Sequence, residues 1–341
     1  MSLKDPAPIG EVDPAATGLA ELAREGRPAV MRGFVQDWPL LDAAKRSGQE
    51  AAAMIAQFDS GQPASVMVAP AETGGKFFYR PDLSGFNFEE RQMSLGDVAH
   101  QVLSFAEQEK APSLYAGSAE TAKHLPGFEN AHALPQRFAE AAGGSRIWLG
   151  TGSTVATHMD MTPNIAVCVA GPRTFTLFPP EVTGDLYLGP LHMTPAGPPV
   201  SMVDPDDPDL ELYPRFAEAA AKAQRAELQP GDAIYIPALW WHHVRAKDRF
   251  NILVNFWHEN AQHGNPFTGF VHALWSIRDL PEPHRQAWKH WFHHFIFGDG
   301  AHAAADHLPE AVRLINGPAS PRRDEAMRGF LIRTLTTGRE K

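Results

Sequence analysis

The chain has 341 residues, 43% hydrophobic and 21% charged, enough to build a folded barrel with additions and unlike a disordered chain. Its 30 Lys+Arg against 40 Asp+Glu give a formal charge of −10, which disfavours a broad electrostatic grip on nucleic acid. The single cysteine, Cys168, excludes an intrachain disulfide framework and four-thiolate zinc sites. No stretch reads as a signal peptide or a membrane span, so a soluble, cytoplasmic protein is expected.

Residues 1–145 read as a lead of helices and short strands. Thr17 can cap a helix through Arg24, Ala29–Arg32 reads as a strand, and Ala51–Ile55 belongs to a helix. Strand-like pieces follow at Ser65–Ala69 and Lys76–Arg80. Ser94 can then cap a helix over Leu95–Glu109, with Val98, Val102, Leu103 and Phe105 on its apolar side. From Arg146 short apolar or alternating runs recur: Arg146–Leu149, Thr154–His158, Ile165–Val169, Thr174–Phe178, Leu186–Leu191, Ala226–Leu228, Ala233–Ile236, His243–Arg245 and Phe250–Trp257. Gly or Pro separates most of them, as in a β-sandwich or barrel. Helical texture returns at Leu274–Leu280, Arg285–Phe297, Ala311–Ile315 and Asp324–Leu335. The chain therefore divides into a lead (1–145), a mainly β core (146–260) and a helical tail (261–341).

The core contains His158-Met159-Asp160. A His-x-Asp triplet is common by chance, but on a strand its two side chains share one face and can reach one ion. A third ligand would come from a later strand. Gln229-Pro230-Gly231-Asp232 suits a type II turn, and beyond it lie Ala233–Ile236, a proline break and the pair His242-His243. Adjacent strand residues face opposite ways, so one of the pair should ligate and the other point outward, where its removal should cost no more than a surface change. Two His and a carboxylate are the donor set of non-haem Fe(II) oxygenases.

At these residues the sequence resembles a known family. Gly171–Pro180, Ile234–Val244 and Asn255-Phe256-Trp257 resemble the cupin-like branch of the JmjC-type hydroxylases, which includes a protein asparaginyl hydroxylase and bacterial cupin-like proteins; Arg27–Gly33 resembles the entry strand. The resemblance implies a double-stranded β-helix (jelly-roll) core and a hydroxylase using Fe(II), 2-oxoglutarate and O₂. It further implies His158, Asp160 and His242 as iron ligands, favouring the first histidine of the pair. It puts a basic residue at Arg173 for the far carboxylate of 2-oxoglutarate, with arginine where the hydroxylase has lysine. Arg173, Phe175 and Leu177 share a strand face, and a guanidinium turned into a barrel needs an anion. Tyr115 is implied beside the same carboxylate, with Asn164 and Asn255 near the cosubstrate and Trp257 closing the wall. Asn164, Ala166 and Cys168 share a face that leaves room for a ligand, so Ala166 is expected in the wall.

Two residues depart from the family pattern. Val155 stands where the hydroxylase has a threonine, leaving Thr157 as a substitute hydroxyl, and Gly117 lacks the amide that engages the peptide. The substrate is expected to be a protein or peptide side chain, with a small molecule or RNA as alternatives. A metal- and carboxylate-binding cupin without oxygenase activity is the rival reading. In the tail, Trp288, Trp291, Phe292, Phe295 and Phe297 are expected to pack on the barrel or on a second subunit of a homodimer. The acidic run Asp204–Asp209 reads as a solvated flap.

Overall fold

The computed structural model describes residues 5–139, 143–195, 197–258 and 265–337. The chain divides into two compact units, Met1–Asn260 and Ala261–Lys341. In the first, eight strands make the core: β1 (Ser145–Gly150), β2 (Ser153–Met159), β3 (Asn164–Ala170), β4 (Arg173–Phe178), β5 (Gln224–Leu228), β6 (Ala233–Ile236), β7 (Trp241–Ala246) and β8 (Asn251–Trp257). They alternate between two sheets except at β4 and β5, which pair with each other, in the orders β5-β4-β7-β2 and β6-β3-β8-β1, and all their pairings are antiparallel. This is the jelly-roll arrangement of a double-stranded β-helix.

The lead extends both sheets. Ala7–Pro8 and Lys76–Phe77 flank the first, for six strands. Glu11–Val12 and Ala29–Met31 extend the second at β6, and Ser113–Glu120, Ala64–Ala69 and Glu89–Met93 extend it beyond β1, for nine. The entry strand is tied down by Asp232, which accepts from Arg32 Nη1 at 2.8 Å and from Gly33 N at 2.9 Å. The turn before it is the expected Pro-Gly turn: Gly231 has φ +101° and Asp232 N donates to Gln229 O at 2.9 Å.

Alternation along β3 sorts its side chains. Ile165, Val167 and Val169 face outward and pack with Trp38, Leu41, Ile55, Val98 and Val102 under the helices Pro39–Arg46, Gly48–Phe58 and Leu95–Ala106. Ala166 and Cys168 face inward with Phe175, Leu177, Ile234 and Val244. β3 is thus buried on both faces, which explains why it reads as a continuous apolar run. Ser94 caps the third helix, its hydroxyl accepting from Asp97 N.

Some expectations need correction. Leu186–Leu191 is not a strand: Pro180–Asp185 forms a 3-10 turn and only an isolated Leu188–Ser201 bridge follows. Proline-rich sequence and burial of Val182, Leu186 and Val203 with Phe216 and Trp241 hold this region as an irregular flap. Four strands lie where the sequence predicts none: the two-residue Ala7–Pro8 and Glu11–Val12, Glu89–Met93, whose charges hide its alternation, and Ser113–Glu120.

The second unit contains the helices Pro266–Ser276, Glu282–Phe292 and Pro321–Thr337, with a π turn at His293–Phe297. Ala305 is its one buried residue among those described. Among the described residues, no helix is long and apolar enough to cross a membrane.

Candidate metal centre and its cavity

β2 and β7 are paired with His158 directly opposite His242. Their imidazoles lie 4.2 Å apart centre to centre, and Asp160 Oδ2 is 3.8 Å from His242 Nε2. The donor atoms of His158, Asp160 and His242 all lie within 4.8 Å of one another. Both rings are oriented from behind: His158 Nδ1 bonds Ala156 O at 2.8 Å and His242 Nδ1 bonds Trp240 O at 3.1 Å. With those protons on Nδ1, each Nε2 offers a lone pair toward the cluster. Burial, with His242 adding to it, pushes His158 down to about 4, so its imidazole stays neutral, the ligand form. Burial opposes ionisation of Asp160, but His242, His158, Trp257 and Asn164 together outweigh it and hold the carboxyl below its usual range.

The strand is not straight here. Val155 pairs with Val244 and His158 with His242, so β2 carries one extra residue at Ala156–Thr157. This bulge lets Val155 and His158, three apart, both face the cavity.

The cluster sits in a cavity of about 360 Å³. Arg173 lines it, is 1% exposed, and has Nε and Nη2 without hydrogen-bond partners. Tyr115 lines the same cavity; burial raises its pKa although Arg173 pulls the other way, so the phenol stays neutral. Asn164, Ala166, Asn255 and Trp257 also line the cavity. Asn164 Nδ2 and Trp257 Nε1 both donate to Asp160 Oδ2, at 3.0 and 3.1 Å. Asn164 Oδ1 is buried without a partner, whereas Asn255 Oδ1 accepts from Trp148 Nε1 at 2.9 Å.

Thr157 is the expected wall residue that does not reach the cavity. As the neighbour of the inward His158 it faces the other side of the sheet, and its hydroxyl is buried without a partner while its carbonyl accepts from Ser201 N. It therefore does not replace the hydroxyl missing at Val155, which does line the cavity. Gly117 lines it too; a Cβ there would come within 3.1 Å of the Trp148 ring. Trp148 itself was missed. It stands between Ile147 and Leu149, which point outward, so alternation alone could have turned it inward. Glu90, exposed on an edge strand that was not read, is another lining residue no sequence signal pointed to.

His243 faces the other way, as expected, but it is not a surface residue: it is 2% exposed and neither ring nitrogen has a partner. Its Nε2 lies 3.8 Å from Asp206 Oδ2, and with Asp204 it forms a second cluster of ligand-type groups. That cluster is already neutralised, because Lys76 pairs with Asp204 at 3.0 Å while Arg225 and Arg245 pair with Asp206 at 2.8 and 3.1 Å. The acidic run is therefore an anchor that holds the flap to the outer face of the six-stranded sheet. Burial pushes His243 down to about 4 despite the nearby aspartates.

A jelly-roll core with this inward His-Asp-His set agrees with the sequence match to the cupin-like domain, which covers residues 14–264. The chain belongs to the cupin-like domain family. Curated relatives of this cupin-like protein include tRNA wybutosine-synthesizing protein 5 of Danio rerio, 36% identical over 138 residues, 39% of this chain and 36% of that one. Lysine-specific demethylase JMJ31 of Arabidopsis thaliana is 29% identical over 128 residues, 37% of this chain and 23% of that one. Lysine-specific demethylase 8 of Xenopus tropicalis is 33% identical over 114 residues, 32% of this chain and 24% of that one. The cupin-like chain thus spans less than two-fifths of the length of these relatives.

Proposed function

We propose that the protein is an Fe(II)- and 2-oxoglutarate-dependent oxygenase that hydroxylates a side chain of a protein or peptide. One observation carries the reading: a His-Asp-His donor set and a buried guanidinium with unpartnered nitrogens line the same cavity. The donor set fits Fe(II), two neutral imidazoles and one carboxylate leaving positions open. Arg173 fits a carboxylate of the cosubstrate, since a buried cation needs an anion and arginine can grip one through two parallel bonds. When bound, the iron with 2-oxoglutarate and O₂ supplies the oxidising chemistry, which the side chains alone lack.

The chain's own residues bind, orient and shield. His158, Asp160 and His242 would hold the metal; Arg173 and Tyr115 would hold the far end of the cosubstrate. Asn164 Oδ1 offers an acceptor inside the cavity. Val155, Phe175, Ile236, Val244 and Leu253 give apolar walls that keep water from the reacting groups. A protein substrate is favoured over RNA by the net charge of −10 and by the exposed carboxylate of Glu90 in the lining. A homodimer joined through the exposed tail aromatics, in a cytoplasmic setting, completes the proposal.

The test uses purified protein with Fe(II) and labelled 2-oxoglutarate. Binding of 2-oxoglutarate and succinate formation are expected; absence of both, with peptide and metabolite mixtures present, would sink the reading. The hydroxyl-free Val155 favours one rival, a cupin that binds metal and carboxylate without oxidising anything, and that rival predicts binding with no succinate at all.

A further inference from the structure

Arg146, on β1, lies outside the set of groups that meet metal or cosubstrate in this reading, yet it touches two parts of the cavity wall at once. Its guanidinium carbon sits 4.9 Å from the centre of the Trp257 ring. Its Nη1 donates to Ser118 O at 3.2 Å and its Nη2 pairs with Glu120 at 3.1 Å. Ser118 belongs to a bulge in the strand Ser113–Glu120, where the register against β1 shifts between Ala116 and Ala119. It lines the cavity and has φ +56°, a left-handed conformation that is costly for a residue with a side chain. Trp257, for its part, donates its indole N–H to Asp160 Oδ2.

We propose that Arg146 is a positioning residue that couples the bulged wall at Gly117–Ser118 to the carboxylate of Asp160 through the indole of Trp257. The inference rests on the reading of His158, Asp160 and His242 as a metal centre. A cation over an indole face is attracted to the ring, fixing its plane and drawing electron density from the N–H. The indole is then held where its proton meets Oδ2. Asn164 donates to the same oxygen, so Oδ2, which lies 3.8 Å from His242 Nε2, is held in place by two donors. The other side of Arg146 is held by the Ser118 carbonyl, so a substrate that presses on the bulge moves the group that orients Trp257.

The experiment measures Mn(II) affinity of the full chain by calorimetry, with thermal unfolding as a check on folding. Trp257→Phe keeps a ring under the guanidinium but removes the N–H, and a loss of about 10- to 100-fold is expected. Arg146→Ala should cost roughly 2- to 5-fold in the wild-type background, and Arg146→Lys, which keeps the charge, should restore most of it. In the Trp257→Phe background Arg146→Ala should change nothing, because the path to Asp160 is already cut. Equal losses in both backgrounds, or no loss in either, would overturn the proposal. A metal-free readout separates its failure from that of the metal-centre reading. In protein labelled with 5-fluorotryptophan, the Trp257 resonance, assigned by Trp257→Phe, should shift in Arg146→Ala. An unmoved resonance overturns the coupling, whereas wild-type protein that binds no Mn(II) but shows the shift overturns the metal centre instead.

Discussion

The barrel unit and the tail unit use similar residues in opposite ways. In the barrel, large apolar side chains such as Trp38, Phe128, Phe175 and Phe178 are fully buried, and the few exposed ones sit in loops. In the tail, Trp275, Trp291, Ile296 and Phe297 are 58–75% exposed, and the rings of Trp288, Trp291 and Phe295 follow one another at 6.0 and 5.4 Å without a core beneath them. The barrel's burial gives it the rigidity to hold an uncompensated cation and a close His-Asp-His set. The tail exposes a row of neighbouring aromatic rings, and exposed apolar patches are a usual mark of interaction sites. The two units should therefore answer mutation in different observables.

The largest effect should come from Asp160→Ala or His242→Ala. Each removes one of the three proposed ligands, so Mn(II) or Fe(II) retention and 2-oxoglutarate turnover should both vanish, as read by calorimetry and succinate release. His243→Ala, one residue away, should keep both, although it empties a buried site and lowers the melting temperature. Loss of metal in the second variant would break the register assigned to β7.

Next in size is Arg173→Met. Losing a charge-assisted pair should weaken 2-oxoglutarate by about 1.5–3 kcal/mol. The same substitution removes a buried cation with unpartnered nitrogens, so the unliganded protein should become more stable, by about 1 kcal/mol or more in chemical denaturation. A variant that loses both affinity and stability would mean that the guanidinium is satisfied without a ligand.

A pH response should come from buried histidines of the barrel. Burial lowers the pKa of His132, which must stay neutral because Nδ1 donates to Phe128 O while Nε2 accepts from Leu40 N. Burial also holds His243 at about 4. In the unfolded chain both titrate near their usual value of about 6.5, so the unfolded state takes up protons first as pH falls. The stability they contribute is complete above pH 6.5 and drains away as pH falls from there toward 4. Thermal unfolding of metal-free protein across that range should show the loss, and His243→Ala should reduce it.

The smallest effect on folding should come from the tail. Trp291→Ser or Phe297→Ser should shift the barrel's unfolding by no more than about 0.5 kcal/mol. Sedimentation should nonetheless show the weight-average mass falling toward that of a single chain. An unchanged mass would remove the second copy as the partner for this face.

What the sequence carried, and what it did not, follows the same division. The barrel strands were legible because burial on one or both faces writes apolar runs punctuated by Gly and Pro, and the inward residues of β3 and β4 followed from alternation. Thr157 fails as a substitute for the hydroxyl missing at Val155 because it neighbours the inward His158 and so faces away, while the bulge that brings Val155 round to the cavity has no glycine or proline to announce it. His243 was misjudged because pointing away from one cavity was equated with exposure, when a flap covers that face. The partners of Asp160 were beyond reach: Trp257 is distant in sequence, and no spacing rule says which carboxylate oxygen an indole will meet.

The flap between β4 and β5 has a bearing on how such a barrel can change over time. It leaves after Phe178 and returns at Gln224, and Leu177 and Gln224 are directly paired neighbours. The whole excursion is topologically a lengthened hairpin turn, open to insertion, deletion or replacement with little entropic consequence for the strands on either side. Yet it supplies Thr194, Pro195, Pro198 and Val200 to the cavity, the last of them bridged to the backbone of His158. The flap's share of the cavity lining can therefore change while the His158-Asp160-His242 set stays untouched.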